Sequence, residues 1–125
     1  GRLSPFYIVA VVLALFAAAA HSWLGEKLIL GPLLKNDPLP PTLKPAINRR
    51  LVRAVWHLPS AIWAVIGIYV VWAMLAQTLS SETAFVLSAI FAVSGIANLA
   101  AVRRIHFAWA TLFAITAALW IGASL

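Results

Sequence analysis

The chain alternates between long apolar stretches and shorter polar ones, with apolar runs at residues 5–24, 54–79, 83–102 and 105–125. About 20 mainly apolar residues cross the hydrocarbon of a bilayer as a helix, and each run meets or approaches that length. Unbroken Ala, Leu, Val and Ile, as in "PFYIVAVVLALFAAAA", lack the in–out alternation of a membrane strand. Backbone groups inside lipid must bond within their own segment, so the pattern predicts four transmembrane helices.

Small residues repeat at helical spacing in three of these runs. Ala10, Ala14, Ala18 and Ser22 recur every four residues in the first, with His21 beside that ridge. His106, Ala110, Ala114, Ala118 and Gly122 form one such row in the fourth, and His57, Ala61, Ala64 and Ile68 follow the helical period in the second. Small side chains mark where membrane helices approach closely, so these rows are expected to face other helices.

The polar stretches set the connections. "AQTLSSETA" reads as a tight turn in which Ser81 caps the following helix and Glu82 suits its positive end. "AVRRIHF" contains neither Gly nor Pro and must also turn briefly, so both turns join antiparallel neighbours. The connection 25–53 is longer and holds five prolines, Pro32, Pro38, Pro40, Pro41 and Pro45. "DPLPPTLKP" is expected to be extended, and Pro45 to stand first in a helix that feeds the second span. The predicted fold class is all-α: one polytopic domain, 1–125, built as an antiparallel four-transmembrane-helix bundle.

Composition agrees. Of the 125 residues, 64% are hydrophobic and 10% charged, against about 25% charged in soluble domains. The absence of cysteine excludes disulfides, thiolate metal sites and cysteine nucleophiles. The net charge of +6 lies between the apolar segments without interleaved aromatics, which argues against nucleic acid as a partner. Its placement gives an orientation instead. Lys27, Lys35, Lys44, Arg49, Arg50, Arg53, Arg103 and Arg104 all fall in the first and third connections, and Arg2 alone falls on the other side. The expectation is a bacterial inner-membrane protein with both termini periplasmic, its first segment retained as a span. Arg49, Arg50, Arg53, Arg103 and Arg104 are candidates for contact with anionic lipid or an acidic partner. Trp23, Trp56 and Trp109 fall near one interface and Trp72 and Trp120 near the other, while Trp63 lies deeper.

This topology brings all three histidines to one level. His21 ends the first span, His57 begins the second and His106 begins the fourth, each on the basic side. With Glu26 they form a candidate ligand set for a metal ion, or, as His21, His57 and His106, for a tetrapyrrole. No pair has ligand spacing within one helix, so the set depends on tertiary contact. The plainer reading is that each imidazole bonds a neighbouring helix or carbonyl. Ser–His catalysis by His57 with Ser60, or His21 with Ser22, lacks an accompanying elbow or glycine-rich motif. Asn98 and Ser94, four apart on the third span, add polar groups, and Pro59 frees a carbonyl near His57.

"AAAAHSW" resembles the small-xxx-His spacing by which antenna helices hold a chlorophyll-type macrocycle. The four short helices resemble small multidrug resistance transporters, but the first span has no acid before Glu26, so the coupling glutamate of that family is missing. "HSWLGEKLILGPLL" followed by "RRLVRAVWHLPSAIW", within residues 17 to 63, resembles a group of small bacterial four-span proteins of unknown function, through an H-S-x-L-G-E and W-H pattern. That resemblance implies a bacterial inner-membrane protein and carries no activity. The functional expectation is an accessory or assembly subunit of a larger respiratory or photosynthetic membrane complex, with other membrane subunits and the lipid bilayer as partners. The alternative is a stand-alone protein binding a metal or haem at the histidine cluster.

Overall fold

The computed structural model describes residues 4–104 and 106–125, and the regular structure among them is entirely helical. Arg2 and Ile105, which bear on the orientation and on the start of the fourth span, lie outside the described residues. Among the described residues, four helices are long and apolar enough to cross a membrane. They are α1 (Pro5–Gly25), α3 (Ala46–Leu75), α4 (Ser81–Val102) and α5 (Phe107–Ser124), with a short α2 (Gly31–Leu34) after α1.

Local chemistry places the helix ends. The Ser4 hydroxyl accepts from the Phe6 amide at 3.2 Å, with Pro5 in the first turn. Ser80, not Ser81, caps α4, accepting from the Thr83 amide at 3.1 Å. Pro45 stands just before α3 rather than as its first residue. The second span ends at Leu75, short of residue 79, because Gln77 takes a left-handed φ of 57° and the chain turns there. Arg103 ends α4 the same way, its amide donating to the Leu99 carbonyl at 2.8 Å.

The long connection departs most from its expected form. The helical path continues beyond Leu24 through a π-helical turn, Glu26–Leu30, into α2. Pro32 explains it: proline lacks the amide that would bond the carbonyl four residues back, and its ring crowds that carbonyl. The Gly31 amide instead reaches the Glu26 carbonyl, five residues away. A Cβ on Gly31 would lie 2.7 Å from that same oxygen, so glycine is required. The run expected to be extended holds a 3-10 turn at Pro41–Leu43. Leu30, Leu34 and Leu43 are buried together against Val52 and Trp56 of α3, which explains why the segment folds back.

α1 packs between α3 and α5, and α4 packs on α5. α3 and α4 pack less closely, although a short turn joins them, and are bridged by side chains such as Trp63, whose indole N–H donates to the Ser94 hydroxyl at 3.4 Å. The α1 ridge faces inward as expected: Ala10, Ala14, Ala17 and Ala18 are buried with Trp63, Val70, Phe91, Ile115 and Leu119. The rows expected on the other helices hold only in part. On α5, Ala118 is buried but Ala110 and Ala114 are exposed. On α3, Ala61 and Ile68 are exposed, and the buried stripe is instead Ser60, Trp63, Ile66, Gly67, Val70 and Ala73. Bulky Trp63 and Phe91 fill the space between α3 and α4, so contact there does not require small residues. Val12, Val65, Val86, Val93 and Ile96 are exposed on the outer faces, as lipid contact demands.

Candidate functional site

The ends of α1 and α4 and the starts of α3 and α5 meet at the end of the molecule that carries the described basic residues. Two polar assemblies lie there between α1 and α3. In the first, His21 and Trp56 hold one another reciprocally. The Trp56 indole N–H donates to the His21 carbonyl at 3.1 Å, and His21 Nε2 lies 2.8 Å from the Trp56 carbonyl. A carbonyl only accepts, so Nε2 carries a proton and Nδ1 is the acceptor of the neutral ring. The two rings stack with centroids 4.7 Å apart and planes 5° from parallel, while Trp63 meets His21 edge-on at 5.3 Å. Gly25 makes this approach possible, because a Cβ there would overlap the Trp56 indole. Pro59, inside α3, removes the donor for the Val55 carbonyl, next along the chain to the Trp56 carbonyl that His21 uses.

The second assembly is a line of bonded side chains from the protein interior to its surface. The Ser60 and Ser22 hydroxyls are 2.7 Å apart, Ser22 Oγ is 2.8 Å from His57 Nδ1, and His57 Nε2 is 2.7 Å from Glu26 Oε1. Arg53 closes the line with two bonds to the carboxylate, Nε to Oε1 at 2.7 Å and Nη2 to Oε2 at 3.1 Å. The π turn starts at Glu26, one turn past Ser22, so α1 presents hydroxyl and carboxylate to the same imidazole. Glu26 stands beyond the apolar run 5–24. Hydrogen bonds from Arg53 and then from His57 hold its carboxyl below the ordinary value near 4.5.

Ser22, His57 and Glu26 have the composition of a nucleophile–base–carboxylate line. His57 takes its serine, Ser22, from the facing helix rather than Ser60 of its own. That hydroxyl is shared with Ser60, and neither serine lines the cavity described next. The arrangement therefore acts as a tie that satisfies polar groups between two membrane helices.

His106 stands apart from both assemblies. It caps α5, its Nδ1 accepting from the Ala108 amide at 3.1 Å, and its ring stacks on Phe107 at 4.8 Å. Among the described residues, no group of three or more His, Cys, Asp or Glu is disposed to hold a metal ion. The anticipated set of His21, His57, His106 and Glu26 is thus not gathered on one point. His21 is committed to a backbone carbonyl, His57 to Ser22 and Glu26, and His106 to a helix end.

His21 and His106 do share a cavity of about 280 Å³, walled by all four long helices. Trp56, Trp63, Asn98 and Phe107 also line it, and the exposed Phe16 and Leu28 border it on α1 and the helical turn that follows. Small-molecule pockets run from about 300 Å³ upward, so this one has room for a one- or two-ring molecule rather than a macrocycle. Among the described residues the buried side-chain oxygen of Asn98 finds no hydrogen-bond partner. Sequence reasoning placed Asn98 and the two histidines at this level but missed Trp56, Gly25 and the Ser22–Ser60 pair. The proximity of "HSWLG" and "VWHLPS" to the two helix ends was the available signal.

The basic candidates divide. Arg53 is bonded to Glu26, and Arg49 folds back on the Leu43 and Lys44 carbonyls at 2.8 and 2.5 Å. Arg50, Arg103 and Arg104 are exposed.

Comparison of the chain with protein-family models, with curated proteins and with solved structures returns no match.

Proposed function

We propose that this chain is a small multi-pass protein of a bacterial inner membrane that holds a small, mainly apolar molecule in the cavity at its basic end. The supporting topology is an antiparallel bundle with both termini periplasmic, since the basic connections favour the cytoplasmic face. The observation that carries the reading is the cavity itself. Apolar and aromatic walls with a few polar groups are the usual form of a small-molecule site. Here His21, His106 and Asn98 supply those groups, and the Asn98 oxygen has no partner among the described residues.

The second reading is an accessory or assembly subunit of a larger membrane complex. The α1 alanine ridge is buried inside the protein and is not free to dock a partner. The reading rests instead on α4, which leaves Val93, Ile96, Ala97 and Ala101 exposed. Ala97 and Ala101 lie one turn apart, a spacing that suits a close helix partner.

Extraction in a gentle detergent followed by native mass measurement separates the two. A cavity ligand adds a small organic mass to the chain's 13.5 kDa, and that addition disappears in Ala20→Phe, which fills the cavity from α1. Protein-sized additions would establish the subunit reading. A bare chain that also fails to bind any added apolar ring would overturn the cavity reading.

A further inference from the structure

We infer that the cavity selects a membrane-soluble, flat conjugated ring bearing a carbonyl oxygen, the quinone class of molecule. This rests on the cavity being a ligand site, as proposed above, and adds what the ligand must present.

The hydrogen-bonding groups of the walls are fixed by what they already bond. His106 Nδ1 accepts from the Ala108 amide, so the proton of the neutral ring sits on Nε2, which has no hydrogen-bond partner among the described residues. His106 therefore offers a donor. His21 is fixed the other way: Nε2 is spent on the Trp56 carbonyl, which leaves Nδ1 as an acceptor. Asn98 brings an amide whose oxygen is buried and unbonded among the described residues, an acceptor that costs stability in the empty protein and is relieved by a ligand group that donates. Thr111 also lines the cavity, but its hydroxyl donates to the Phe107 carbonyl at 2.7 Å and is already occupied.

These groups lie among aromatic faces. Trp56, Trp63 and Phe107 line the same space, and flat rings pack on such walls at little cost in order. A saturated hydrocarbon chain would fill the volume but leave the His106 donor unpaired. A sugar or a charged solute would lose its hydration against the predominantly apolar lining. A flat ring with a carbonyl on its edge packs on these walls and pairs the free donor: the oxygen accepts from His106 Nε2, and a hydroxyl, where the reduced form carries one, donates to an acceptor of the lining, Asn98 Oδ1 or His21 Nδ1. The exposed Phe16 and Leu28 at the border give a molecule dissolved in the bilayer a route in.

The test compares menadione, a naphthoquinone, with methylnaphthalene, which has the same rings and no oxygen. Each is titrated into the whole protein in detergent micelles, and the saturable quenching of tryptophan fluorescence is read. The informative variant is His106→Asn. Asparagine retains a side-chain acceptor for the α5 cap but does not carry the distal N–H. Menadione is expected to bind at least several-fold more tightly than methylnaphthalene. His106→Asn is expected to weaken menadione about three- to tenfold, the range of one lost hydrogen bond, and to leave methylnaphthalene unchanged. Equal binding of the two probes, unaffected by His106→Asn, would overturn the carbonyl requirement while leaving the cavity as a ligand site. An equal loss for both probes in the variant would overturn the role of His106. Saturable binding of neither would overturn the inference and the cavity reading together.

Discussion

At the scale of single residues, the account depends on glycine and glutamate as much as on histidine. Gly25 lies under the Trp56 indole, and any Cβ there displaces a ring held by stacking and by two hydrogen bonds with His21. Gly25→Ala is expected to cost about 1–3 kcal/mol, the range for overpacking, and to change the near-ultraviolet signal of Trp56. Thermal unfolding in detergent with near-ultraviolet circular dichroism checks both effects. Glu26 gives the pH dependence. Its carboxyl titrates below the ordinary value in the folded protein, so its contribution is present above about 4.5 and is lost as the pH falls through the lower, folded value. Melting temperature measured from pH 7 downward should therefore drop in that acid window, and Glu26→Gln should flatten the drop. An unchanged acid transition in the variant would remove the Arg53–Glu26–His57 tie from the account. These residues were only partly legible in the sequence. Their order along two helices placed His21, Glu26 and His57 at one end, but side-chain partners follow from helix rotation, which spacing alone fixes only within a turn.

At the scale of elements, the four apolar runs translate directly into helices because lipid-compatible segments allow the backbone no other closed set of bonds. The ends and the connection were harder to read. A serine beside a serine leaves the cap ambiguous by one residue, and the structure chose Ser80. Five prolines suggested an extended connection, yet Pro32 widens a helix instead of ending it because Gly31 lets its backbone approach the Glu26 carbonyl. The close crossing of α1 and α5 also depends on one position. A Cβ on Gly122 would fall 2.6 Å from Tyr7 Cε1, in a ring only 5% exposed. Gly122→Ala should destabilise the protein by about 1–3 kcal/mol, and Gly122→Leu by more. A denaturation series in mixed micelles measures this, and an unaffected Gly122→Leu would mean that α1 and α5 do not cross there.

At the scale of the whole molecule, the small-residue ridge of α1 and the polar tie to α3 belong to one design. The alanines let the central helix lie close to both neighbours, and the hydroxyl–imidazole–carboxylate line fixes its rotation against α3. That rotation turns His21 and Trp56 into walls of the cavity. Both polar assemblies and the cavity depend on this juxtaposition of α1 and α3. The native chain has no cysteine, so a pair introduced as Ser22→Cys with Ser60→Cys can be read without background. The two hydroxyls lie 2.7 Å apart, and thiols at those sites are expected to join under mild oxidation in the membrane and to resist maleimide afterwards. Single variants should stay fully reactive once the membrane is dissolved. A double variant that keeps both thiols free under the same oxidation would contradict the pairing of α1 with α3, and with it the cavity that the pairing builds.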